Sequence, residues 1–250
     1  MTAPADVQQV WDSLQLLAEA PPRTFDAVIT DPPYCSGALH AGGRKASTSK
    51  KYFGNPDVVS FTGDDRDQRG YLKWATLWMS EALRATNPGG LLAVFCDWRQ
   101  IAVTTDAIQA AGWHWRGVVV WDKTEASRPQ PASPRTQAEF IIWGSRGPRN
   151  KAHLTLSPIP GVLRCPIPRD RTHPTQKPLE VLRPLCRLVP EGALILDPFC
   201  GTGSTLVAAS LEGRRSVGWE REPAFVEVAR SRLAELDPAG PQLSLLGGTP

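Results

Sequence analysis

Residues able to do chemistry fall in two short stretches and one isolated acid. The first stretch, Asp197-Pro198-Phe199-Cys200-Gly201-Thr202-Gly203-Ser204-Thr205, follows the apolar run Leu194-Ile195-Leu196 and leads into Leu206-Val207-Ala208-Ala209. Glycines spaced by one residue let backbone come close to a ligand, and a helix starting there offers unpaired N–H groups. That is the layout of a nucleotide-type cofactor crevice at the carboxyl end of a parallel strand. No third glycine stands at dinucleotide spacing and no Gly-Lys-Ser/Thr closes a phosphate loop, so a strand-to-helix turn without a ligand stays an alternative. Glu220 favours the ligand. It ends the next strand-like run, Arg215 to Trp219, 23 residues after Asp197, the distance at which such units place an acid on a ribose diol.

The second stretch is Asp31-Pro32-Pro33-Tyr34, at the end of the apolar run Phe25 to Thr30. Two prolines fix φ and remove two backbone donors, which leaves carbonyls to accept from a ligand. A carboxylate, a bare carbonyl and an aromatic ring within four residues suit a planar substrate bearing an amino group. Asp31 and the Pro32 carbonyl would each accept an amino hydrogen while Tyr34 stacks on the ring. A plain turn carrying a surface Tyr is the other reading.

The elements that must position these residues follow from periodicity. Strands are expected near Asp6 to Trp11, Phe25 to Thr30, Leu91 to Cys96, 113 to 121, 137 to 143, from 193, and at Arg215 to Trp219. Between them helices are expected at Ser13 to Ala20, capped by Asp12, at Trp74 to Ala85, Arg99 to Ala110, Pro178 to Val189, and Pro223 to Leu236. Apolar strands alternating with helices give a mostly parallel sheet covered on both faces. The strands at 113 to 121 and 137 to 143 could be antiparallel neighbours closing one edge. Both chemical stretches then lie at carboxyl strand ends, on the side where the crevice opens.

At 250 residues the chain most simply forms one domain. Lys plus Arg total 28 against 25 acids, a formal charge of +3, so any preference for polyanions must come from local clusters. Two such clusters exist. Residues 36 to 55 are rich in Gly and Ser, include Arg44, Lys45, Lys50 and Lys51, and contain no acid; this composition predicts a long, mobile loop. Residues 144 to 177 carry Arg146, Arg149, Lys151, Arg164, Arg169, Arg171 and Lys177 against the single acid Asp170. Such a segment could track a phosphate backbone or could be a solvated connection. The absence of an 18-residue apolar stretch or a basic-then-apolar start argues for a cytoplasmic protein. Five cysteines without CxxC spacing indicate neither a disulfide framework nor a metal site.

Together these motifs resemble the S-adenosylmethionine-dependent amino-methyltransferases of DNA. Asp31 to Tyr34 is similar to their catalytic DPPY motif and Asp197 to Thr205 to their cofactor motif. This order resembles the beta arrangement of the family. The resemblance covers about residues 7 to 233 and implies a Rossmann-like methyltransferase fold: a seven-stranded, mostly parallel sheet with an antiparallel edge strand, in three α/β/α layers. It also implies that Thr175, Gln176, Lys177 and Pro178, within a stretch like the family's HPTQKP, lie beside the methionine part of the cofactor. Glu220 would bind the ribose and Asp12 the adenine amino group, although Trp11 stands where relatives have Gly. Asp31 would serve both cofactor and catalysis. The basic loop at 36 to 55 and a recognition insertion at about 144 to 171, with Arg146, Arg149 and Lys151, would hold double-stranded DNA. So small an insertion would suit two cooperating subunits.

The resemblance implies methylation of an exocyclic nitrogen on a base flipped from the duplex. Asp at the first position of the tetrad goes in this family with adenine N6, and Ser with cytosine N4. A covalent cytosine-C5 route needs a thiol in a Pro-Cys setting; Cys165 precedes Pro166 and Cys35 follows Tyr34, so neither fits. An RNA or protein methyltransferase, and a silent nucleic-acid-binding relative, are the alternatives of other classes. The HPTQKP-like stretch and the motif order argue against the first, and the intact DPPY and Gly-Thr-Gly against the second.

Overall fold

The computed structural model describes residues 3–33, 67–127, 129, 131–167 and 176–236. In chain order the elements are β1 (Ala5–Gln9), α1 (Ser13–Glu19), β2 (Phe25–Thr30), α2 (Gln68–Ala85), β3 (Thr86–Cys96), α3 (Ile101–Ala110), β4 (His114–Asp122), β5 (Ala138–Ser145), α4 (Lys151–Leu154), β6 (Val162–Arg164), α5 (Leu179–Cys186), β7 (Leu194–Asp197), α6 (Ser204–Leu211), β8 (Arg215–Glu220) and α7 (Pro223–Leu236). The strands form one sheet in the order β1-β8-β7-β2-β3-β5-β4-β6. Its pairs are parallel except for those made by β5, which runs against both β3 and β4.

Two expectations change here. The sheet has eight strands, not seven, because Val162–Arg164 pairs with the end of β4 inside a segment read as irregular. The reversed strand is internal. Its run Phe140-Ile141-Ile142-Trp143 places Ile141 and Ile142 in the two cores on opposite faces, which calls for neighbours on both edges. The more exposed β4 takes the outer place, with β6 beyond it.

Side-chain alternation along β2 and β3 feeds the two faces. Phe25, Val28, Leu92 and Val94 pack with Tyr71, Trp78 and Met79 of α2 and Ile108 of α3. Ala27, Ile29, Leu91, Ala93 and Phe95 pack with Val181 and Leu185 of α5 and Ala208 of α6. Trp78 is fully buried, and burying a side chain of that size contributes on the order of 2–3 kcal/mol. Two crossovers matter for the site. From β2 the chain reaches β3 on one side by way of α2. From β7 it reaches β8 on the other side through α6, which lies on the opposite face. The chain therefore diverges between the neighbouring strands β2 and β7, and in sheets of this kind the crevice that takes a ligand lies at such a point, outside the carboxyl ends of the strands.

Candidate active site

Asp197 closes β7 at that divergence and is 3% exposed. Its Oδ1 accepts from the Thr30 hydroxyl at 2.6 Å and from the Phe199 N–H at 3.1 Å, which ties the end of β7 to the end of β2. Burial pushes the carboxyl up to about 6; hydrogen bonds from Thr205, Thr30 and the Phe199 N–H pull downward, and Asp31 nearby adds to the rise.

The loop after Asp197 is held from three sides. Ser13, at the start of α1, donates its hydroxyl to the Pro198 carbonyl. The Phe199 ring packs against Trp74 and Trp78 of α2, with centroids 5.3 and 5.4 Å away. Arg232 of α7 donates to the Thr202 carbonyl at 2.5 Å and to Ser204 Oγ at 3.1 Å. Cys200 packs inward with Val7 and Leu206, and burial pushes its thiol well above the ordinary range. The expected cofactor run thus divides. Side chains of Phe199, Cys200, Thr202, Ser204 and Thr205 are committed to the protein, since the loop must be rigid to hold its backbone open. The glycines divide too. Gly203 (φ +78) presses on α7, where an added Cβ would lie 2.8 Å from Ala229 Cβ. At Gly201 (φ +52) an added Cβ would meet nothing within 4 Å, so this is the open face of the loop.

Glu220 ends β8 beside that face. Its Oε2 accepts the Gly201 N–H at 2.9 Å, and its Oε1 accepts the Arg221 and Glu222 N–H groups at 2.8 Å each. Burial raises its carboxyl, against the pull of those backbone donors. Asp12 reaches the same neighbourhood through Ser13 and through the bond from the Val10 N–H to the Glu220 carbonyl. Its carboxylate caps α1 by accepting the Leu14 N–H at 2.9 Å.

Asp31 follows β2 directly, and Lys177 meets it. The ammonium lies 2.5 Å from Asp31 Oδ2 and 3.4 Å from Glu139 Oε2, with its Nζ 5.5 Å from the Phe95 ring centroid. Burial disfavours the ammonium charge, but Asp31 and Glu139 outweigh it and hold the group above its ordinary value. Burial likewise works to raise Glu139, yet Lys177 and Lys123 bring it below the usual carboxylate range. Pro178, next to Lys177, is the N-cap of α5. Gln176 also lies among the described residues, whereas Tyr34 and Thr175 lie outside them. Sequence reasoning missed Glu139 altogether. Its one signal was an acid at the start of an otherwise apolar strand.

The basic residues assigned to DNA separate. Arg44, Lys45, Lys50 and Lys51 lie outside the described residues. Arg146 and Arg149 do not reach the crevice. Arg146 donates to the Arg84 and Thr86 carbonyls, and Arg149 to those of Gly89 and Leu188. These bonds sit at the beginning of β3, the opposite edge of the sheet, because β5 carries the chain back before residue 146 emerges. Lys151 is exposed at that same far edge, in α4, whose start lies beside Gly89 of β3. Of the segment 144 to 171, Arg164 returns to the crevice side, where it pairs with Asp122 at 3.6 Å and Glu125 at 2.8 Å.

Residues 25–161 and 158–231 match a family described as DNA methylase, N6/N4 type. YubD of Escherichia coli is 29% identical over 229 residues, which cover 91% of this chain and 90% of that protein. The type II methyltransferase M2.DpnII of Streptococcus pneumoniae is 26% identical over 242 residues, 89% of this chain and 87% of its own length. Among solved structures, the M1.HpyAVI–SAM complex has a TM-score of 0.65 at 20% identity, covering 92% of this chain and 98% of that one. The PvuII DNA methyltransferase, cytosine-N4-specific, has a TM-score of 0.70 at 17% identity, covering 97% and 90%. These two share the fold.

Proposed function

Because the chain belongs to the N6/N4 family of DNA methylases, we propose that it transfers a methyl group from S-adenosylmethionine to adenine N6 in double-stranded DNA. The observation that carries the proposal is the placement of Asp31 and Asp197 at the ends of adjacent parallel strands, on either side of the divergence between β2 and β7. Family membership makes the chain a DNA methyltransferase; the cofactor and the target nitrogen are the finer reading.

The open Gly201 face, Glu220 beside it and Asp12 near α1 suit the backbone approach, ribose diol and adenine of S-adenosylmethionine. M1.HpyAVI, of the same fold, is a SAM complex. When bound, the cofactor supplies an activated sulfonium methyl group. The protein's work is then alignment and stabilisation of charge. Asp31 and the Pro32 carbonyl accept the two amino hydrogens of a flipped base, Pro33 stiffens the turn, and Tyr34 stacks on the base. Asp31 stabilises the positive charge that develops on the nitrogen. The whole chain acts as one catalytic domain, with residues 36 to 55 and part of 144 to 171 against DNA and two subunits cooperating.

Adenine rests on Asp31, in a family where Asp at this position accompanies adenine. Cytosine N4 is the second reading, favoured by the fold shared with a cytosine-N4-specific enzyme. Digesting enzymatically methylated DNA to nucleosides and identifying the product by mass spectrometry decides between them: N6-methyladenine is expected, and N4-methylcytosine as the main product would overturn the assignment. Asp31→Ala should lose transfer by roughly 10²-fold or more.

A further inference from the structure

Four side chains alternate in charge along the crevice edge of the sheet. Lys177 Nζ lies 2.5 Å from Asp31 Oδ2 and 3.4 Å from Glu139 Oε2, and Lys123 Nζ lies 3.3 Å from Glu139 Oε1. Asp31, Lys177, Glu139 and Lys123 are 25, 9, 16 and 14% exposed, so solvent screens them weakly. Glu139 is the second residue of β5, opposite Trp121. Since β5 alone is reversed, its beginning falls where the other strands end, and this delivers the acid to the site.

Without Glu139, the two ammonium groups would leave a surplus positive charge beside Asp31, which opposes the proposed reaction. The nitrogen lone pair forms the N–C bond while the S–C bond breaks with its pair left on sulfur, and the surplus amino proton then leaves to solvent. Positive charge therefore grows on the target nitrogen, and a buried cation nearby makes that costly. Glu139 supplies the missing counter-charge. We infer that Glu139 is a positioning residue of the methyl transfer, holding Lys177 and Lys123 in place and offsetting the second of their two charges, so that no surplus cation stands beside Asp31 as it meets the amino group. This rests on Asp31 being the acceptor proposed above.

The test follows from the charge balance of two acids and two cations. Glu139→Gln leaves one positive charge uncompensated, and adding Lys123→Met restores the balance. Glu139→Gln should lower kcat roughly 10- to 100-fold, while KM for duplex DNA and cofactor affinity by calorimetry stay within about threefold. In the double variant kcat should recover by about tenfold, a rescue that loss of a merely structural residue would not give. Glu139→Asp, which keeps the charge, should hold kcat within about fivefold. A folded Glu139→Gln enzyme with unchanged kcat, or a double variant no faster than the single, overturns the inference. If Glu139→Gln does not fold, Glu139→Asp decides: a loss beyond about tenfold in the folded protein overturns it. Asp31→Ala, run alongside, separates the two claims. Full activity there sinks the reading of Asp31 itself, whereas lost activity there with normal Glu139 variants sinks only the role of Glu139.

Discussion

Asp197→Asn should make the protein more stable at neutral pH while removing a carboxylate from the centre of the crevice. In the fold the carboxyl moves from 3.8 to about 6, chiefly through burial. At about 1.4 kcal/mol per unit, ionising it in the folded protein costs about 3 kcal/mol more than in the unfolded chain. The sign runs against the usual acid: a raised folded value means stability is fully present below the unfolded value and is lost as pH climbs through the folded one. Between about pH 4 and pH 7 this group should therefore remove about 2 kcal/mol. Asparagine keeps a carbonyl oxygen for Thr30 and the Phe199 N–H, and its amide can donate to the Thr205 hydroxyl. Urea unfolding of both proteins across that range isolates the effect. The stability difference, variant minus parent, should widen by about 2 kcal/mol toward neutral pH. A difference that stays flat with pH would refute the reasoning.

The two glycines of the loop should fail in different ways. Gly201→Trp, at a cost of about 1–2 kcal/mol for its left-handed backbone, should stay folded yet bind S-adenosylmethionine at least about tenfold more weakly by calorimetry. Gly203→Ala should instead lose about 2–4 kcal/mol of stability through its clash with Ala229, seen in denaturant unfolding. Arg149→Ala should cost about 1–3 kcal/mol of stability with no change in the salt dependence of DNA binding. Lys50→Ala with Lys51→Ala should do the reverse, lowering the salt slope by up to about 2.

Much of the frame was legible because its signals are local. The run Phe25 to Thr30 carries β-branched and apolar residues up to its acid, and β2 has those bounds; Pro223 opens α7 as its place before an apolar periodicity implies. Asp31, Asp197 and Glu220 could be singled out because each is an acid at a strand end, which is where the structure places them. β3 begins at Thr86, earlier than expected, because Asn87-Pro88-Gly89-Gly90 reads as a stop and yet Gly89 pairs with Arg146 across the sheet. What stayed hidden depended on partners far away in sequence. Glu139 gains its meaning from Lys177, and nothing local announces that pairing. Arg146 and Arg149 look like a polyanion patch by composition; only the direction of β5 shows that they leave the sheet at the far edge and spend their donors on carbonyls.

The bond between Thr30 and Asp197 joins residues 167 positions apart, and β1 likewise pairs with β8. A chain emerging from the ribosome therefore carries β1 and β2 long before their partners exist. Until residues 194 to 220 arrive, β2 has an open parallel edge, the kind of surface that invites pairing with other chains. Closure over such a separation is entropically slow, which ties the birth of the crevice to the last stage of folding. A nascent or truncated chain lacking β7 and β8 would possess Asp31 but not Asp197 beside it.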